Sequence, residues 1–466
     1  MAEAPVLPRV LLVVGTFVSG CTAGPRQVTP ATPLPEQFDQ AAAAPPAAPD
    51  PAALWSGFGS AELDGLVARA LEANTTIAQA AARLEETRAL SGLTHFSWFP
   101  TVTAAGGRER RQQSALDPSV PGGGIARDSY RAGFDASWEI DLFGGLRKEA
   151  AAIRRRVEAD DAALAAARLS IVAETAQAWF ALQGARARLA LLGRQLGNLR
   201  ENVRILDARL AAGGTTALDV ARAETQARSV AAELPAAESD RVRQEQRLAV
   251  LTAWPMATLR EHLSAEATIP PLPTLVAAGT PEEWLRRRPD IREAERRLAA
   301  ATADVGIQVA DYFPRVELLG SFGWTGGSRA DLGSAAAERW SWGPSLTWRF
   351  LDLGRVRQRV RAASARAEGA LAAYHETVLR ALEETENALA GFRSANQTTA
   401  ELAAAVAAAG ETARLARLRH DAGVTDYLAV LDAERSLLDF EDRHVQAQAR
   451  RATALAGLYK ALAGNL

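Results

Sequence analysis

The 466-residue chain has a single cysteine, Cys21, which excludes an intramolecular disulfide and any thiolate metal cluster. Its histidines (His95, His262, His375, His420, His444) are scattered, with none of the spacings that hold a metal. No phosphate-cradling glycine loop, nucleophile elbow or zinc-protease helix motif occurs, and the isolated acids fit solvated helix faces. No enzyme activity, cofactor or metal is expected. Lysine stands only at Lys148 and Lys460, so the positive charge is arginine, and a net charge of −2 offers nothing to nucleic acid. Proline is missing from Gly145 to about Ala212, and that absence permits one very long helix.

What is present is a repeat. Gly133–Gly144 (GFDASWEIDLFG) has a twin at Gly343–Gly354 (GPSLTWRFLDLG), offset by 210 residues. The offset pairs Trp138 with Trp348 and Arg147 with Arg357, and further on Gly213 with Gly423, Thr215 with Thr425 and Leu218 with Leu428. Both stretches alternate: Phe134, Ala136, Trp138, Ile140 and Leu142 interleave with Asp135, Ser137, Glu139 and Asp141. Period two means a strand with one apolar and one polar face.

In chain order, Ser60–Asn74 and Thr75–Leu93 read as helices, and Trp98-Phe99-Pro100 opens a strand to about Arg110. After a Gly/Pro/Ser-rich loop, the strand ending at Phe143 completes a hairpin. Along Gly145–Ala212 apolar residues recur in heptads: Leu164, Ile171, Ala178, Ala185, Leu192, Leu199, Leu206, and Leu182, Leu189, Leu196, Val203, Leu210. That is a coiled-coil seam on a helix roughly 100 Å long. Gly213-Gly214 breaks it, and a shorter helix returns from Ala217 to Thr252. After a proline-containing connector the pattern recurs: a helix over Arg288–Asp311, strands around Val316–Trp324 and up to Phe350, a long helix to Asp421, a turn at Ala422-Gly423, and a return helix over Thr425–Leu462. The expected domains are a signal peptide at 1–20, a lipidated Cys and Ala/Pro-rich tether without a core of its own at 21–53, the first repeat at 54–253, the connector at 254–281 and the second repeat at 282–466.

Six of ten tryptophans (Trp98, Trp138, Trp324, Trp340, Trp342, Trp348) lie in or beside the strands, as an interfacial aromatic belt requires. Strands of about 10 residues cross a tilted bilayer path. Four strands cannot close, and an open edge is not tolerated in lipid, so copies must share a barrel; two copies or three both satisfy that physics. At the amino terminus, the apolar run Val10–Val18 behind Arg9 is too short to span a bilayer and fits a signal peptide. Its end, Val18-Ser19-Gly20-Cys21, resembles the bacterial lipobox, which implies lipidation (palmitate) of Cys21 and, with Thr22 next, an address in the outer membrane.

The chain resembles the TolC-like outer-membrane factor family, specifically the NodT-type efflux lipoproteins. The resemblance rests on Trp138–Gly144 (WEIDLFG), Arg288–Glu295 (RPDIREAE), Ala310–Pro314 (ADYFP) and Leu431–Arg435 (LDAER). It implies an α+β membrane fold: a homotrimer with a 12-stranded transmembrane β-barrel, four strands per chain, continuous with a long periplasmic α-helical barrel. Such a trimer is the exit duct of a tripartite pump with a periplasmic adaptor (membrane fusion protein) and an inner-membrane RND-type transporter. Asp135, Glu139, Asp141 and Arg349 would face the lumen, and Trp and Phe the lipid. The glycine turns would be periplasmic tips, with Gly213, Thr215, Leu218, Gly423, Thr425 and Leu428 meeting the adaptor, and Asp219, Arg419 and Asp432 serving as gate or selectivity residues. In the family's namesake the first turn's acid is latched by a tyrosine and an arginine of the second turn. Here those places hold His420 and Thr425, leaving Arg419 as the substitute. A polypeptide-secretion duct of the same fold, and a non-conducting coiled-coil lipoprotein, are the alternative readings.

Overall fold

The computed structural model describes residues 24–25, 34–40, 58–112, 114–116, 126–264, 267, 269–273 and 280–462. The signal peptide, Cys21, most of the tether, part of the connector and most of the loop between the first two strands lie outside them. The chain divides into two units. No helix among the described residues is long and apolar enough to cross a membrane.

One unit contains Arg83–Asp160 and Ala294–Tyr374. Its centre is a four-stranded antiparallel sheet in the order β1 (Thr101–Gln112), β2 (Ala126–Ile140), β3 (Arg315–Gly326), β4 (Glu338–Thr347). Consecutive strands pair, so β1 and β4 are left as edges. Strand β2 ends at Ile140 and β4 at Thr347, earlier than the alternation implies. The pattern continues because Trp138 and Trp348 anchor the strand ends. Trp138 Nε1 donates to the Trp98 carbonyl at 3.0 Å, and its repeat partner Trp348 to the Tyr312 carbonyl at 3.2 Å. Each indole thus ties its strand to the aromatic-Phe-Pro corner that opens the neighbouring strand, and Phe143 stacks on Phe313 at 4.8 Å.

The other unit contains Ala31–Ala82, Asp161–Glu293 and His375–Leu466. Among the described residues the helices are α1 (Ala61–Ala73), α2 (Thr75–Phe96), α3 (Gly145–Ala211), α4 (Ala217–Thr252), α5 (Met256–His262), α6 (Pro281–Arg287), α7 (Pro289–Ala310), α8 (Leu353–Asp421) and α9 (Tyr427–Leu462). Helix α3 is 67 residues and α8 is 69, and each runs from the first unit into the second. Ser60 caps α1 by accepting from the Leu63 amide. Most of the α3 heptad positions are buried: Leu164, Ile171, Ala178, Leu182, Leu192, Leu196, Leu199 and Leu206 are all below 9% exposure, while Leu210 beside the turn is 37% exposed. Leu192, Leu196 and Leu199 pack against Ala227, Val230 and Ala237 of α4, whose small side chains bring the helices close. Helix α5, inside the connector, has no counterpart in the sequence reading; its Leu259 is fully buried.

Arg288, the first residue of the RPDIREAE motif, is 7% exposed. It donates to Asp290, to Glu384 of α8 at 2.6 Å and to the Ala461 carbonyl at 3.1 Å near the end of α9. Burial works against its charge, yet the Asp290 and Glu384 carboxylates hold its pKa above the usual arginine range. The motif is therefore a clamp that fastens three helices. The tether also departs from expectation. Phe38 is 3% exposed, and the Asp39 and Gln40 amides donate to the two Glu386 carboxylate oxygens at 2.8 and 2.9 Å, so this stretch packs on α8.

Candidate functional site

The sheet register sorts side chains onto two faces. Directly opposed residues point the same way, so Val102, Ala136, Gly320 and Trp342 form one row, and Ala104, Phe134, Phe322 and Trp340 the next. Trp138, Leu318 and Pro344, then Ile140, Val316 and Leu346, extend that face. It is apolar and exposed: Trp342 is 75% accessible and Trp340 67%. The opposite face carries Thr103, Asp135, Ser321 and Ser341 in one row and Glu139, Glu317 and Ser345 in another. A shallow hollow lies on this polar face, lined by Thr103, Asp135, Ser321 and Ser341 among others. A face of exposed tryptophan opposite a face of hydroxyls and carboxylates suits a wall between lipid and water.

Two glycines make that wall possible. Gly133 and Gly323 are opposed, and a Cβ on Gly133 would stand 2.5 Å from the Phe322 carbonyl oxygen, one on Gly323 2.4 Å from the Ala132 oxygen. The central strands approach too closely for any side chain there.

Asp135 and Glu139 stay on the polar face, but Asp141 does not belong to it. Its carboxylate accepts from the Leu146 and Arg147 amides at 3.2 and 3.0 Å and from Arg147 Nε at 3.0 Å. Asp141 thus caps the start of α3, where free amides and the helix dipole favour an anion. Arg349 likewise lies past the end of β4 and leads a short 3₁₀ turn, Phe350–Asp352.

In the helical unit the two glycine turns are built alike. Gly213 has φ of 75° and Gly423 of 73°. The Gly213 and Gly214 amides donate to the Leu210 and Arg209 carbonyls, and the Gly423 and Val424 amides to those of His420 and Arg419. This paired bonding behind a left-handed residue is the Schellman termination, and it satisfies the last carbonyls of α3 and α8. Nothing lies within 4 Å of a Cβ built on either glycine. The return helices start differently. Thr216 and Asp219 form a reciprocal capping box on α4, while at α9 the repeat-equivalent Asp426 accepts from the Ala429 amide.

Asp219 is occupied by its own turn. It accepts from the Thr216 hydroxyl at 2.6 Å and the Thr215 hydroxyl at 3.2 Å, and Arg222 stands 3.9 Å away. The Thr216 bond above all holds the Asp219 pKa below the usual range. Its depressed pKa makes this cap's contribution complete above the unfolded aspartate pKa and lost only as pH falls through the lower folded one. Arg419 is exposed and makes no side-chain bond among the described residues; the structure does not bring it to Asp219 within one chain. His420 Nδ1 instead meets the Thr425 carbonyl at 3.2 Å, and its ring packs on Tyr427. Asp432 is exposed, with no ion pair to Arg435 among the described residues. Leu218 is 57% exposed and its repeat partner Leu428 36%.

Two residues that sequence reasoning missed, Asn202 and Tyr427, tie the turns together. The Asn202 amide of α3 donates to the Tyr427 hydroxyl, beneath a cluster of Leu206, Val220, Ala223, Val430 and Leu431. Burial pushes the Tyr427 phenol up. Glu434 is buried and accepts from Arg417 at 2.7 Å, whereas its repeat partner Glu224 is exposed, because position 207, opposite in the repeat to Arg417, is an aspartate.

Among the described residues no group of three or more His, Cys, Asp or Glu is arranged to hold a metal ion. The family model described as outer membrane efflux protein matches residues 66–253 and 280–464. Outer membrane protein OprJ of Pseudomonas aeruginosa is 32% identical over 459 residues, which is 97% of this chain and 95% of that protein. Nodulation protein T of Rhizobium leguminosarum bv. trifolii is 29% identical over 428 residues, 90% of this chain and 89% of its own. Among solved structures, the outer-membrane channel OprN superposes with a TM-score of 0.88 at 35% identity, covering 96% of this chain and 99% of that one.

Proposed function

The chain belongs to the outer membrane efflux protein family, and from that membership we propose that it is the outer-membrane exit duct of a tripartite efflux pump. The observation that carries the reading is the sheet, with one polar face, one apolar face and both edges open. Open edges in lipid leave backbone groups unsatisfied at several kcal/mol each, about what a lost buried hydrogen bond costs, so copies must close the sheet. Three copies of four strands give twelve, enough to leave a water-filled lumen inside the polar faces. The long helices α3 and α8, with α4 and α9, would continue that lumen as a helical barrel across the periplasm. Native mass spectrometry of detergent-extracted protein should show three copies of the processed chain. A particle of two chains, closing at eight strands, or of one, would overturn the trimeric barrel.

The two Schellman turns are the natural ends for an adaptor to meet. Gly213 and Gly423 leave open space above a bare backbone, Thr215 and Thr425 follow them, and Leu218 and Leu428 present apolar surface. This arrangement suits the tip of a partner's helical hairpin, with an inner-membrane transporter of the RND type behind it. Asp432 and Arg419 have side chains without a partner among the described residues, so in a trimer their copies would face one another or a neighbour's turn. Three Asp432 carboxylates round a constriction would attract cations. Asp219, held by its own cap, supports the gate by fixing the first turn.

Lipidation of Cys21 is part of the same reading and rests on the Val18–Cys21 sequence. Cys21→Ala should take up no labelled palmitate yet still assemble in part, since the barrel itself holds the membrane. Label found in that variant would end the lipobox assignment.

A further inference from the structure

Resting on the barrel reading, we propose that the outer end of the polar sheet face is an anion-binding ring, formed by Arg111, Arg127, Arg131 and Arg339 of each copy and selective for solutes bearing several phosphate or carboxylate groups. The outer end is the one remote from the helices: α2 leads into β1 at Thr101 and α3 follows β2, so the turn between Gln112 and Ala126 lies at the far end. The register places Arg111 opposite Arg127, Arg131 opposite Gly107, and Arg339 opposite Gly323, all on the face that carries Asp135 and Ser321.

The charge on this face changes along the strands. Its inner half carries Asp135, Glu139 and Glu317 against one arginine, Arg315, which is itself bonded to Asp311 at 2.8 Å. Its outer half carries the four arginines against Glu109 alone among the described strand residues. Glu109 serves two of them, Arg111 at 2.8 Å and Arg131 at 3.1 Å. Arg127 and Arg339 have no side-chain partner among the described residues. Two arginines directly opposed, as Arg111 and Arg127 are, destabilise a strand pair unless an anion sits between them. Glycines opposite Arg131 and Arg339 leave the guanidinium groups room to turn over the wall. Planar guanidinium forks match phosphate and carboxylate oxygens in pairs, and arginine rings are what anion pores use. Lipid phosphate is not the occupant, because the arginines on the membrane-facing side are others: Arg108, bonded to Asp128 and set over the Tyr130 ring, and Arg110.

The test is single-channel recording of the purified protein in bilayers free of anionic lipid, with inorganic tripolyphosphate added to each side in turn. Block is expected from the side of the strand hairpins, and none from an uncharged glycol of similar size. In Arg127→Ser/Arg339→Ser, which removes only arginines without a partner among the described residues, the blocking concentration should rise at least about tenfold, the loss of one charge-assisted contact. A conducting channel that tripolyphosphate does not block, or blocks equally in the double variant, overturns the ring while leaving the duct intact. A protein that assembles but passes no current overturns the barrel reading, and the ring with it.

Discussion

Gly133→Ala should remove nearly all assembled protein from the outer membrane, while Gly320→Ala leaves it close to the wild-type level. Both positions lie in the two central strands and both substitutions add one methyl group. At Gly133 that methyl would stand 2.5 Å from the Phe322 carbonyl oxygen and 2.8 Å from the Gly323 Cα, both backbone atoms of the paired strand. Backbone has no rotamer to change, so the strands must part and the ladder between β2 and β3 is lost locally. Overpacking a core by side-chain contact costs about 1–3 kcal/mol, and a backbone collision belongs at or above the upper end. A trimer carries the fault three times in one closed sheet. At Gly320 the new methyl would meet the Ala136 Cβ at 3.8 Å, ordinary van der Waals contact on the apolar face. Heat-modifiable trimer on a semi-native gel reads the difference. Equal trimer yields from the two variants would show that the close approach is not required.

Gly213→Trp combined with Gly423→Trp should lower resistance to the pump's substrates to nearly that of a strain without this channel, with trimer yield preserved. The left-handed conformation of each glycine costs a side-chain-bearing residue about 1–2 kcal/mol, a load that long packed helices tolerate. The Cβ positions point into open space, so no intrachain contact is broken. If the turns are the adaptor-facing tips we propose, what changes is the surface offered to that partner, where bare backbone is replaced by an indole in every copy. Gly213→Ala with Gly423→Ala carries the same backbone strain without the bulk and should keep most of the resistance. Unchanged susceptibility in the tryptophan variant would reduce both turns to connectors.

Much of this was legible in the sequence because it rests on periodicity. Alternation at Phe134–Ile140 marks a two-faced strand, the heptads from Leu164 to Leu206 mark a buried seam, and the offset of 210 residues carries the first turn onto the second. The parts that were not legible depend on where a periodic pattern stops being used. Asp141 continues the alternation of β2 yet turns to cap α3, since the last ladder pair is at Ile140 and the free amides of Leu146 and Arg147 lie within reach. Phe38 sits in an Ala/Pro-rich stretch that looks like a bare tether, and only the fold reveals that it is buried while its neighbours Asp39 and Gln40 bond to Glu386 of α8. At the tips, the glycines announce themselves, but the partner of Asp219 does not. A threonine three residues before it offers a local cap that competes with any distant latch, and the local bond forms. Asn202 and Tyr427 are brought together from 225 positions apart, a pairing no local pattern encodes.

The central claim is that copies of this chain form a water-filled duct, and single-channel recording of the purified protein in a planar bilayer tests it most directly. Discrete current steps that favour cations are expected, with the preference weakened in Asp432→Ala, whose carboxylate has no partner among the described residues. An unaltered reversal potential in that variant would remove the acidic ring and leave the duct standing. Assembled protein that inserts into the bilayer and gives no current steps would contradict the duct itself.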